Sequence, residues 1–203
     1  GLAGFPLLGD GKGCRLKITS CEIPMIDQDL IERCRRGDRS AQHEVYIQTA
    51  DRLYRLLLRV AGNSADAEDL AQEAYIRAFT RIAQFDGRSS FYTWLCRIAI
   101  NQALQHGRRP KLVADDLDAV DSLARPDNGD PADTRFDVED ALAKLPALDR
   151  SILLLRYQEG LDYRTIAEVT GCPSGTVASR LNRARDRIRE LFKKGSYDQG
   201  RNS

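Results

Sequence analysis

No aspartate or glutamate occurs between Gly87 and Ala114, although the chain carries 31 basic and 30 acidic residues in all. The same window holds Phe91, Tyr92, the single tryptophan Trp94, and four arginines, Arg88, Arg97, Arg108 and Arg109. Aromatic rings among arginines, with no acid nearby, suit a polyanion that carries bases. Bases stack on rings or enter pockets while guanidinium groups follow phosphates. Phe91, Trp94, Leu95 and Ile98 recur at helical spacing and form an apolar stripe, with Trp94 expected in the core. Arg97, Asn101, Gln102 and Gln105 form the polar side. Phe85 lies across a helix break from Asn101, and the two are expected at one rim that takes a base.

A second cluster suits double-stranded DNA. In LDYRTIAEVTGCPSGTVASRLNRARDRIRELF, Asp162 caps a short helix with Tyr163, Ile166, Ala167 and Val169 on its apolar side. Thr170-Gly171-Cys172-Pro173 makes the turn, because glycine ends a helix and proline forbids its continuation. A second helix starts near Ser174 and buries Val177, Leu181, Ala184, Ile188 and Leu191. That spacing leaves Thr176, Ser179, Arg180, Arg183 and Arg187 outward. Ser174, Gly175, Thr176, Ser179 and Arg180 then occupy the end that meets base edges in a major groove, and Arg183 and Arg187 reach phosphates or a guanine edge.

Other chemistries are poorly served. No paired carboxylates stand at metal-ligand spacing beside a base, no glycine-rich phosphate loop occurs, and no nucleophile has a placed histidine. An enzyme is therefore not expected, nor any cofactor or metal. Cys14, Cys21, Cys34, Cys96 and Cys172 are scattered without a CxxC pair, which fits a reducing cytoplasm rather than a disulfide framework. No run of 18 apolar residues suggests insertion into a membrane.

Both clusters need helices to position them. Expected helices run from about Ile26 to Arg36, Ser40 to Ala61, the segment after Asn63 or Ser64, and Ser90 to Gln105. In the third, Ala67, Leu70, Ala71, Ala74, Ala78, Phe79 and Ile82 form a one-sided stripe, with Asp66, Glu68 and Asp69 at the positive end of its dipole. Helices over RFDVEDALAKL and ALDRSILLLRYQEG precede the helix-turn-helix. Lys111 to Asp140 holds three basic residues against ten acidic, while Gly171 to Lys194 holds seven basic against two acidic. Such segregation separates basic faces from an acidic connector. The fold class is thus all-α, with two small helical domains joined by an acidic flexible linker. The expected boundaries are a leader over 1–24, a first domain over 25–110, the linker over 111–134, a second domain over 135–194 and a disordered tail over 195–203. A signal peptide over the leader lacks the basic start and the longer apolar run it needs.

Three motifs in this order, DAEDLAQEAYIRAF, FDGRSSFYTWLCRIAINQAL and LDYRTIAEVTGCPSGTVASRLNRARDRIRE, resemble bacterial sigma factors of the extracytoplasmic-function (ECF) group within the sigma-70 family. The resemblance covers about residues 26–192. It implies a region 2 domain that binds the clamp helices of the largest RNA polymerase subunit, through Asp66, Asp69, Gln72 and Glu73. It implies that the same domain opens the −10 promoter element and takes a flipped non-template base. Phe85 and Asn101 match pocket positions, Arg88, Ser89 and Ser90 match the pocket loop, and Arg97 lies on the same DNA-facing side. A third pocket position falls on Arg81, which is larger than its counterpart in some relatives and leaves the preferred base open. The second domain resembles region 4, which docks on the flap of the second-largest subunit and reads the −35 element. Many members of the group are held by an anti-sigma factor, and such a partner is expected here. The alternative reading is a stand-alone helix-turn-helix regulator whose first domain binds a ligand or dimerises. The acid-free, arginine-flanked window discriminates, since a ligand domain has no use for one.

Overall fold

The computed structural model describes residues 26–106 and 135–199. The leader, the linker, residues 200–203, Cys14 and Cys21 lie outside the described residues. All regular structure within them is helical: α1 (Gln28–Arg35), α2 (Arg39–Ala61), α3 (Ser64–Thr80), a 3-10 turn at Ile82–Gln84, α4 (Phe91–His106), α5 (Arg135–Ala143), α6 (Ala147–Tyr157), α7 (Tyr163–Thr170) and α8 (Ser174–Gln199).

Short polar side chains start α2, α3, α4 and α7, because an exposed amide at a helix N-terminus needs an acceptor. Asp38 accepts from the amides of Ser40 (2.9 Å) and Ala41 (3.2 Å), Asn63 from Asp66 (2.8 Å), Ser90 from Thr93 (3.1 Å) and Asp162 from Thr165 (2.7 Å). The hydrogen bond donated by the Thr165 amide holds the Asp162 carboxyl below its ordinary range, and the amide of Ala41 together with Arg33 does the same for Asp38. Gly62 closes α2 and Gly171 closes α7 in the left-handed region, at φ of 84° and 69°. A side chain at either place would be strained.

In the first domain α2 packs on α3 and α3 on α4, while α1 closes the end of α2. Leu53, Leu56 and Leu57 of α2 and Leu95 and Ile100 of α4 are fully buried in one apolar core. Alanines at 67, 74 and 78 line the buried side of α3. In the second domain α6, α7 and α8 pack on one another around Ile152, Leu155, Ile166 and Leu181, and α5 rests against α8.

The two domains also touch. α7 packs along α4, and α6 lies against α2. Gln102, read as part of a polar side, is only 6% exposed. Trp94, read as core, is half-buried. α8 continues to Gln199, past the expected start of a tail at 195. A lone glycine at 195 costs a growing helix about 1 kcal/mol, too little to stop it without a proline or a cap.

Candidate nucleic-acid interface

The loop between α3 and α4 is built on aromatic packing. Phe85 is 7% exposed, with its ring centroid 5.7 Å from that of Phe91 and 5.4 Å from that of Trp94. Arg35 of α1 donates to the Phe85 carbonyl and ties the loop to the bundle. Asp86 then turns the chain, accepting from the Arg88 amide at 3.1 Å, and this bond lowers its carboxyl from the ordinary value. The Arg88 side chain projects into solvent and pairs with Asp86 at 2.6 Å. Ser89 donates to the Ser90 carbonyl, and Ser90 caps α4.

Arg97 is exposed one turn before Asn101. The Asn101 amide donates twice, to the Arg97 carbonyl at 2.7 Å and to the Val169 carbonyl of α7 at 3.2 Å. Phe85 is thus turned into the core and Asn101 is engaged by the second domain. The rim expected of these two does not stand open in this conformation. A groove of about 840 Å3 runs alongside instead. Gln84, Arg88, Trp94 and Arg97 line one wall, and Asp162, Arg164, Thr165 and Glu168 line the other. Arg81 is exposed on the α3 side of the loop.

The α8 tip is open. Ser174, Gly175 and Ser179 are exposed and Thr176 is half-buried, with the Ser179 hydroxyl donating to the Thr176 carbonyl at 3.0 Å. A Cβ built on Gly175 meets nothing within 4 Å, so the approach is unobstructed. Arg183 and Arg187 are exposed further along. Arg180 departs from the outward position that spacing gave it. It is half-buried and donates to Asp149 of α6 at 2.7 Å. A long side chain near a stripe edge follows the nearest buried carboxylate, and Asp149 is only 13% exposed.

On α3, Asp69, Gln72 and Glu73 face solvent together with Ile76, which is 49% exposed. Glu73 pairs with Arg77 one turn on. Asp66 is half-buried, accepting from its own amide's capping partner, the Asn63 side chain, at 2.8 Å. The sequence reading missed Arg52, Glu159, Arg59 and Glu139, which join the domains. Gln158-Glu159-Gly160 carries a helix-end signal, but no local pattern announces a partner 107 residues away.

Family comparison matches both halves in order. The model described as "Sigma-70 region 2" covers residues 45–111, and "Sigma-70, region 4" covers residues 135–188. The RNA polymerase sigma-H factor of Pseudomonas aeruginosa is 39% identical over 176 residues, which is 80% of this chain and 91% of that protein. The ECF RNA polymerase sigma-E factor of Haemophilus influenzae is 36% identical, covering 81% of this chain and 94% of that one. Its Escherichia coli K12 namesake is 35% identical, at 81% and 93%. Among solved structures, CnrH in complex with the cytosolic domain of CnrY superposes with a TM-score of 0.61 at 20% identity, covering 83% of this chain and 97% of that one. The sigma factor RpoE of Bartonella quintana in complex with the anti-sigma factor NepR gives 0.59 at 24% identity, covering 74% and 96%. These two share the fold. With region 2 and region 4 matched in order and identity above one third across nearly the whole of several relatives, this chain belongs to the ECF group of the sigma-70 family.

Proposed function

We propose that this sigma factor, which directs RNA polymerase to promoters, opens the −10 element with the α4 side of its first domain and reads the −35 element with the tip of α8. The observation that carries the reading is the open tip itself. Ser174, Gly175, Thr176 and Ser179 stand at the approach, with Arg183 and Arg187 behind them for phosphates. Arg180 has a different part, holding α8 on α6 through Asp149.

In the first domain, Arg88, Ser89, Ser90 and Arg97 line the path of the non-template strand, and Asn101 hydrogen-bonds a flipped base over Phe85. Flipping costs a few kcal/mol, which stacking and hydrogen bonds in the pocket must offset. The base that fits depends on how Arg81 is placed. Asp66, Asp69, Gln72 and Glu73, with Ile76 among them, form the contact for the clamp helices of the largest polymerase subunit. The second domain meets the flap of the second-largest subunit. The chain supplies recognition and no catalysis, acts in the cytoplasm, and is held when idle by an anti-sigma factor. Among the described residues no helix is long and apolar enough to cross a membrane. The stand-alone regulator is not favoured, because the first domain itself matches region 2.

Run-off transcription with core polymerase over a promoter library tests the proposal. The wild-type chain is expected to select promoters by their −10 and −35 sequences. Asn101→Ala is expected to reduce open-complex formation while binding of core polymerase persists. Equal loss of both would remove Asn101 from the pocket.

A further inference from the structure

The surface arginines of the first domain fall into two groups. Arg35, Arg55 and Arg77 each pair with a carboxylate one turn away on their own helix, Glu32, Asp51 and Glu73. Among the described residues, Arg36, Arg39, Arg81 and Arg97 are exposed and pair with no carboxylate. Arg97 already lies on the strand path assigned to α4. The other three stand on the opposite side of the Phe85 loop. The Phe85 ring turns toward Phe91 and Trp94 at the start of α4, while its carbonyl takes the Arg35 guanidinium from the end of α1. Arg36 follows at once, Arg39 starts α2, and Arg81 leads into the 3-10 turn that packs on α1. The turn between α1 and α2 is firmly set. The Gly37 amide donates to the Cys34 carbonyl at 3.0 Å and the Asp38 amide to the Arg33 carbonyl at 3.1 Å. The Asp38 carboxylate caps α2 and pairs with Arg33 at 2.9 Å, which leaves Arg36 and Arg39 uncompensated. A Cβ built on Gly37, between them, meets nothing within 4 Å, so the turn is open to a ligand.

We propose that Arg36 and Arg39, with Arg81 beside them, hold the phosphates of the non-template strand after it leaves the base pocket, on the 3′ side of the −10 element. The proposal rests on the assignment of α4 to that element. Its direction comes from the order of the parts. The second domain, assigned to the upstream −35 element, follows in the chain from the end of α4 at His106. The upstream edge of the −10 element therefore lies toward Asn101, and the strand runs past Arg97 and the Phe85 loop to the α1–α2 turn. The chemistry is that of a backbone track. Guanidinium groups without acidic partners attract phosphates, need no pocket and carry no sequence information. No aromatic residue occurs between Gln28 and Gln42, so bases passing this turn find no ring to stack on and the contact is indifferent to sequence.

Holoenzyme assembled from core polymerase and the full chain tests this with two labelled non-template oligonucleotides, taken from a promoter selected in the run-off assay. One ends with the −10 element and the other continues on its 3′ side. Arg36→Gln with Arg39→Gln is expected to weaken binding of the longer strand about fivefold, the scale of two exposed ion contacts. For that strand it is also expected to lower the slope of log affinity against log salt by about 1.4, at roughly 0.7 per phosphate of a single strand. Binding of the shorter strand, affinity for core polymerase and thermal unfolding are expected to stay at wild-type values. Arg36→Lys with Arg39→Lys is expected to keep wild-type affinity for the longer strand, because a phosphate accepts either cation. Equal weakening on both strands, no weakening on the longer one, or loss of core binding overturns the track. Weakening only on a strand extended on its 5′ side overturns it as well. Asn101→Ala separates the track from the −10 assignment. If holoenzyme shows no preference for the −10 sequence and Asn101→Ala changes binding of neither strand, the assignment of α4 fails. If Asn101→Ala weakens both strands while the arginine pair weakens neither, the track alone fails.

Discussion

α4 and α8 are the two helices assigned to DNA, and the fold treats them in opposite ways. α4 is a core helix: Tyr92, Leu95, Cys96, Ala99 and Ile100 are all at most 1% exposed, and α7 covers much of what remains. Burial pushes the Cys96 thiol and the Tyr92 hydroxyl up from their ordinary values, so both serve as packing groups. α8 buries one stripe, Val177, Leu181 and Ala184, and leaves Ser174, Gly175, Ser179, Arg183 and Arg187 exposed to solvent. A helix that must help open a duplex is set rigidly among others, with a few polar groups at its edge. A helix that enters a major groove must stand clear of its own domain. The same contrast explains why one DNA face is closed in this conformation and the other is not.

The contrast can be broken most directly in the core. Leu95→Ala on α4 is expected to cost about 2–5 kcal/mol in urea unfolding, from lost transfer energy and a cavity. Ser179→Ala on α8 is expected to stay within about 0.5 kcal/mol. Similar costs would mean that α4 is not the structural helix described. Next in size is Arg180→Ala. It leaves the Asp149 carboxylate without its charged donor and is expected to cost about 1.5–3 kcal/mol of stability. DNA binding should weaken evenly over all sequences. Relaxed preference at one base pair would return Arg180 to direct reading. Smallest are Arg183→Ala and Arg187→Ala. Each is expected to leave stability unchanged and to lower the slope of log affinity against log salt by about one. A slope that does not move would take that arginine off the phosphate path.

Much of the first domain is legible locally. Asn63 before Asp66, Gly62 after Ala61 and the alanine stripe of α3 each act within a turn or two, through capping, φ preference and helical spacing. The helix-turn-helix is equally legible, because Asp162, Gly171 and Pro173 set its ends. The site is legible only in part. Ser174, Gly175, Ser179, Arg183 and Arg187 lie outward as spacing requires, with Thr176 half-buried. Arg180 and Gln102 do not, because each sits at a stripe edge where the neighbouring element, not the helix, decides which side is inside.

Sequence alone therefore determined the all-helical class, the capped helix starts, the two basic windows and their order around an acidic segment. These follow from backbone preferences and charge counts that act over a few residues. Tertiary structure alone decided that Phe85 turns inward among Phe91 and Trp94, that Arg180 serves Asp149, and that Glu159 finds Arg52. Those outcomes depend on packing and on the desolvation of charges between residues far apart in the chain. No periodicity within one helix carries that information.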